Sequence, residues 1–296
     1  MRVPARETDA EKLRIRDIGL KAGFDRGGRI SPDVTPTPEG MATPLDGVID
    51  ISDKMSADGK VDWTAPEGRW VLMRFGYTPT DAINAPAPPE GVGLECDKLS
   101  REALDLHFTG MMAEVLKQAG PLAGKTLNNA LIDSYERGCQ NWTPAMRDEF
   151  RKRCGYDLVR YLPTLSGRVV GSIEQSGRFL WDFRRVISDL WCENYYGYFA
   201  ELCRKRGLLS SAEVYGNGIF DNLQSGGAVD IPMGEFWVGG WTLETCKLAA
   251  SSSHTYGRKL TGAESFTADD NHAKWAYDPY SIKALGDLAF TLGVNR

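Results

Sequence analysis

Apolar positions along the chain fall into two regimes that meet near residue 90. Before it, short runs rich in Val, Ile, Trp and Phe, such as Gly47 to Ser52 and Arg69 to Tyr77, are separated by Gly and Pro. That spacing predicts β structure. Between Thr78 and Gly91 the prolines lack donors and restrict their neighbours, so the segment reads as a connection between domains. The expected organisation is a β-rich segment over residues 1–90, part of a sandwich-like domain with its linker, followed by a larger α/β domain over 91–296.

In the second regime helical patterns alternate with short apolar runs. Ser100 is placed to cap a helix with Leu104, Phe108, Met111, Met112 and Val115 on one face. Thr143 and Pro144 open a second helix that Gly155 can end. From about Ser176 to Arg206 the residues Phe179, Phe183, Ile187, Leu190, Asn194 and Tyr198 recur at three or four, and Gly207 follows. Asp278 and Pro279 open a last helix, with Ile282, Leu285, Leu288 and Leu292 inward. Between the helices, Leu127 to Glu136, Leu208 to Gly216, Val229 to Trp237 and Leu260 to Thr267 read as parallel strands.

Alternating strands and helices imply right-handed β-α-β units in either a barrel or a doubly wound sheet. The strand ends favour the barrel. Each carries a glutamate beside an aromatic residue: Asp133-Ser-Tyr-Glu136, Glu213-Val-Tyr215, Gly234-Glu235-Phe-Trp237 and Glu264-Ser-Phe266. A barrel gathers the carboxyl ends of its strands around one axis. The predicted fold is thus an incomplete (β/α)8 TIM-type barrel preceded by a small β-rich segment.

Composition narrows the chemistry. A net charge of -5 with 25% charged residues, and no basic stripe, argues against nucleic acid as a partner. No apolar run approaches a membrane span, and Met1 to Arg16 lacks the apolar core of a secretory signal. The six cysteines are scattered without a Cys-x-x-Cys pair, and the three histidines form no His-Glu-x-x-His pattern, which removes zinc sites of those kinds. Carboxylates and aromatics remain. Glycosidic cleavage needs one protonated carboxyl for the leaving oxygen and one ionised carboxylate on the anomeric side. Aromatic faces can hold the apolar side of a sugar ring, and surplus carboxylates can bind hydroxyls or a hard cation such as calcium. A single glutamate at a strand end is more often a salt-bridge partner or helix cap; four in one arrangement point to a site.

At these same residues the sequence resembles glycoside hydrolase family 106, the α-L-rhamnosidases. The resemblance lies in Ile132-Asp-Ser-Tyr-Glu136, Asn141-Trp-Thr143, Arg178-Phe-Leu-Trp-Asp182-Phe-Arg184, Glu193-Asn-Tyr-Tyr196, Asp230-Ile-Pro-Met-Gly-Glu235-Phe-Trp237 and Ala263-Glu264-Ser-Phe-Thr267, with Gly93-Leu-Glu95-Cys-Asp97 beside them. It implies an inverting, calcium-assisted hydrolase that removes terminal α-L-rhamnose from glycosides or polysaccharides. Members are much longer, with β-sandwich domains flanking the barrel, so the sequence looks cut at both ends; full-length relatives are expected in the periplasm or outside the cell.

Carried over by position, the resemblance makes Glu136 the general acid and Glu264 the general base, with Glu235 as the rival base. Glu213 is assigned to calcium or to sugar hydroxyls. Asp133, Tyr135 and Asp230 are candidates for substrate hydroxyls, and Trp142 and Trp237 either stack on sugar or belong to the core. The competing readings are a non-catalytic carbohydrate-binding protein and a barrel glycosidase acting on another sugar.

Overall fold

A computed structural model of the chain describes residues 40–138, 140–166, 168–216, 218–240, 243–271 and 273–296. It divides into two compact units. Among the described residues, one comprises 40–80 and 141–186, the other 81–140 and 187–296.

The second unit carries four parallel strands in sequence order, β1 (Asn129–Ile132), β2 (Leu209–Glu213), β3 (Ile231–Trp237) and β4 (Gly262–Thr267). They form a curled half-barrel sheet. All four lie inside the runs read as strands from sequence. Helix α1 (Arg101–Ala119) precedes β1, and its Ser100 side chain accepts from the Ala103 N–H, as the capping position requires. Leu104 and Phe108 of α1 join Ala130, Phe199, Leu202, Cys203 and Leu208 in one core on the outer face of the sheet. Met112 and Leu116 extend that stripe, whereas Met111 is 63% exposed, so the apolar face turns away from the expected line after Phe108.

The second helix, α2 (Met146–Cys154), belongs to the first unit and ends at Gly155 in the left-handed conformation, φ 79°. Phe150 packs against Tyr156 and Phe179, and Phe179 stacks on Tyr161 and Phe183. Arg147 donates to both carboxylate oxygens of Asp157, whose pKa is held at about 2; burial opposes that shift and the hydrogen bonds from Arg147 and from the Val159 N–H overcome it. The runs Gly47 to Ser52 and Arg69 to Tyr77 form no strand ladder among the described residues. The first is bracketed by two 3-10 turns, Leu45–Gly47 and Ser52–Lys54. β-forming side chains favour an extended backbone, yet a strand also needs a neighbour to pair with.

The long helical stretch is three pieces rather than one: α3 (Ile173–Leu190), a π-helical turn (Trp191–Tyr196) and α4 (Gly197–Arg204). The π turn inserts a residue, so the buried positions of the helix beyond it are Phe199, Ala200, Leu202 and Cys203, while the expected Asn194 and Tyr198 are half-buried. Two helices follow that the sequence reading did not name, α5 (Asn222–Ala228) and α6 (Glu244–Thr255). Helix α7 (Pro279–Thr291) closes the chain with Asp278 and Ser281 in a reciprocal capping box. Leu285, Leu292 and Ala289 pack inward, but Leu288 is 49% exposed.

Helix α6 sits close on β3 because Gly234 has no side chain. A Cβ there would lie 2.4 Å from the Cys246 backbone nitrogen. Gly234→Ala should therefore force the helix off the strand and destabilise the fold by about 1–3 kcal/mol. Denaturant unfolding would check this; an unchanged midpoint would show that α6 is free to shift.

Candidate active site

Side chains alternate across a strand, and the pairing register fixes which residues share a face. Ile132 pairs with Ala212, Glu213 with Met233, and Glu235 with Glu264. Asp133, Glu213, Glu235 and Glu264 therefore lie on one face of the sheet. The other face carries Ala130, Ile132, Gly234, Phe236 and Ala263, which meet the helices.

Three of these acids converge. Asp133, Glu213 and Glu264 each offer a carboxylate oxygen within 4.8 Å of the other two, the one such group among the described residues. Asp133 is exposed, Glu264 half-buried and Glu213 buried. Neither oxygen of Glu213 has a partner in hydrogen-bond geometry, and the same is true of the Tyr215 hydroxyl two residues on. Burial first, and then the neighbouring Asp133 carboxyl, push the Glu213 carboxyl up to about 8. The Tyr215 hydroxyl is raised as well, by burial and then by Glu213. A buried acid with two unsatisfied oxygens, facing two further carboxylates, is a donor set of oxygens alone. It fits a hard cation such as calcium.

The neighbouring groups are fixed from several sides. The Trp237 indole N–H donates to Glu235 at 2.9 Å, and the Glu235 backbone exchanges hydrogen bonds with the Thr245 hydroxyl. The Thr267 hydroxyl donates to Glu264. Tyr135 is buried, with its ring edge-on to Trp191 and its N–H on the Tyr215 carbonyl. The buried ammonium of Lys98 pairs with Glu95 and lies 5.3 Å from the centres of the Tyr135 and Tyr195 rings. Beyond Glu136, Gln140 donates to Asp97 and accepts from the Lys98 N–H. The loop bearing Glu136 is thus held at both ends, and the Ser134 hydroxyl lies 3.3 Å from the Glu136 carboxylate.

One residue selected from sequence stands apart. Asp230 precedes β3 and accepts from the Ser210 N–H and hydroxyl, at the amino-terminal end of the strands, away from the acids. Its side chain ties the starts of two strands together. Trp142 lies in the first unit, its ring against Tyr77 and Phe183. Asp133, read from sequence as a hydroxyl binder, joins the acidic cluster. Thr267, Tyr215 and Lys98 were not selected. The motif Glu264-Ser-Phe-Thr267 held a signal for the first, since it puts an apolar ring two residues from an acid on what would be the same face.

The model of glycoside hydrolase family 106, described as alpha-L-rhamnosidase, matches residues 8–296. A protein of Formosa agariphila that carries a beta-glucuronidase name is 42% identical over 288 residues, 97% of this chain and 24% of the relative. The solved structure of a rhamnosidase from Novosphingobium sp. PP1Y is similar with a TM-score of 0.73 at 35% identity, over 86% of this chain and 25% of that one. The chain thus spans about a quarter of the length of either.

The raised Glu213 carboxyl sets a pH dependence. Its ordinary value is 4.5, so between pH 4.5 and about 8 the folded chain keeps a proton that the unfolded chain has lost. Stability must then fall as pH rises through that window. In metal-free buffer the unfolding midpoint of Glu213→Gln should decline less over this range than that of the parent. Parallel declines would show that Glu213 ionises in its ordinary range.

Proposed function

As the chain belongs to glycoside hydrolase family 106, we propose that it supplies part of the active site of a hydrolase that removes terminal α-L-rhamnose with inversion. In this reading residues 91–296 are part of a (β/α)8 barrel that follows the β-rich residues 1–90. The observation that carries it is the convergence of Asp133, Glu213 and Glu264 on one face of the sheet, with Glu235 beside them.

Glu136 is the general acid and gives its proton to the glycosidic oxygen as the bond breaks. Glu264 is the general base and takes a proton from the water that attacks the opposite face of the anomeric carbon, so the configuration inverts. Glu235, its register partner, is the alternative base. Asp133, Glu213 and Glu264 are the residues that would hold calcium, which when bound supplies positive charge for orienting hydroxyls and water. Asp133 and Tyr135 are assigned to sugar hydroxyls, and Trp237, with a half-exposed indole, to the apolar side of the ring.

A second reading takes a uronic acid as substrate, as the name of the Formosa agariphila protein suggests for that relative. A face carrying four acids, of which Glu213 keeps its proton, favours the neutral deoxysugar, because a uronate would add a further negative charge to it.

Release of nitrophenol from p-nitrophenyl α-L-rhamnoside and from the β-glucuronide, with calcium or with chelator, tests both readings. The rhamnoside should be cleaved with calcium present. Glu136→Ala and Glu264→Ala should each lower the rate by about 100-fold or more, in the range of acid-base contributions. Preferential cleavage of the glucuronide would replace the substrate. Activity that survives Glu264→Ala and falls with Glu235→Ala would transfer the base.

A further inference from the structure

Strand β4 holds its carboxylate differently from β3. On β3 the residue that donates to Glu235 is Trp237, two positions on, as alternation requires. On β4 the corresponding position is Phe266, which could not donate. The donor to Glu264 is Thr267, three positions on.

A β-bulge makes the difference. Phe236 pairs with Ser265, yet Trp237 pairs with Thr267, so Phe266 is an extra residue in the ladder. Its φ of 60° is left-handed, which a residue with a Cβ adopts only when its surroundings require it. Those surroundings are visible. The Phe266 ring lies edge-on to Phe236 at 4.8 Å and beside Gly286, where a Cβ would come within 2.9 Å of it. The Val238 N–H closes the bulge on the Thr267 carbonyl. The extra side chain is thereby absorbed on the helix side, and Thr267 returns to the face and rung that Trp237 occupies on β3.

We propose that Thr267 is a positioning residue for Glu264 and that the bulge at Phe266 is the device that aims it. The hydroxyl holds Oε1 of Glu264 and so fixes the orientation in which the carboxylate meets the attacking water. The proposal rests on the reading of Glu264 as the base.

The test compares Thr267→Val, which keeps the shape and loses the donor, with Thr267→Ser, which keeps the donor. Both are measured on the full-length protein, together with Glu264→Gln and the Glu264→Gln/Thr267→Val pair. Thr267→Val should lower kcat by about 10- to 100-fold, as for other groups that orient a reacting residue, with KM little changed. Thr267→Ser should recover most of the loss, and the valine should cost nothing further beside Glu264→Gln. A serine as impaired as the valine, or a valine that costs as much without the Glu264 carboxylate, would overturn the proposal. If Glu264→Gln leaves kcat intact, the reading of Glu264 as the base fails on its own. A crystal structure of Thr267→Val then decides the positioning: a reoriented Glu264 carboxylate upholds it, and an unmoved one overturns it.

Discussion

Desolvation of Glu213 is the constraint around which the sheet is arranged. An acid removed from water with no hydrogen-bond partner keeps its proton or finds a compensating charge. Asp133 and Glu235 raise the electrostatic cost of its ionisation, and Asp133 and Glu264 join it in an oxygen-only set for a cation. The cost is sustained by the opposite face, where Ala130, Phe199, Leu202 and Cys203 at one end and Phe236, Cys246 and Ala289 at the other pack against helices. Gly234 is where the two demands meet: Glu235 faces the acids, and the glycine before it lets α6 close on the strand.

Around this centre the groups are held by neighbours rather than left to solvent. Trp237 and Thr267 each donate to an acid of their own strand, and Lys98, Asp97 and Gln140 secure the segment on either side of Glu136. Such arrangements restrict a carboxylate to one orientation before a substrate arrives, so less ordering remains to be done during binding. Lys98 directly follows Gly93-Leu-Glu95-Cys-Asp97, a segment whose Glu95 pairs with Lys98 and whose Asp97 accepts from Gln140.

Much of the second unit was legible because its signals are local. Ser100 and Asp278 mark helix starts through their own hydrogen bonds, and apolar runs ending in acids mark strands. What could not be read depends on partners. Asp230 and Glu235 look alike as acids near a strand, and only the pairing shows that one stands at its start, bonded to Ser210, and the other among the carboxylates. The runs at 47–52 and 69–77 have strand composition, but composition does not supply the neighbouring strand. Helix α6 was missed because Ala249, Ala250, Ser252 and Ser253 pack by being small, which leaves little apolar contrast around the helix.

The π turn at Trp191–Tyr196 and the bulge at Phe266 are the same event in two kinds of backbone, a single residue gained without loss of the fold. In a helix an extra residue would rotate everything after it by about 100°, and in a strand it would invert every later side chain. Here each surplus is confined to one turn or one rung. The local spacing of residues is therefore a poor guide for aligning relatives across these two points. A homologue shorter by one residue at either place can keep every buried contact beyond it, and a gap belongs there rather than in the adjoining loops.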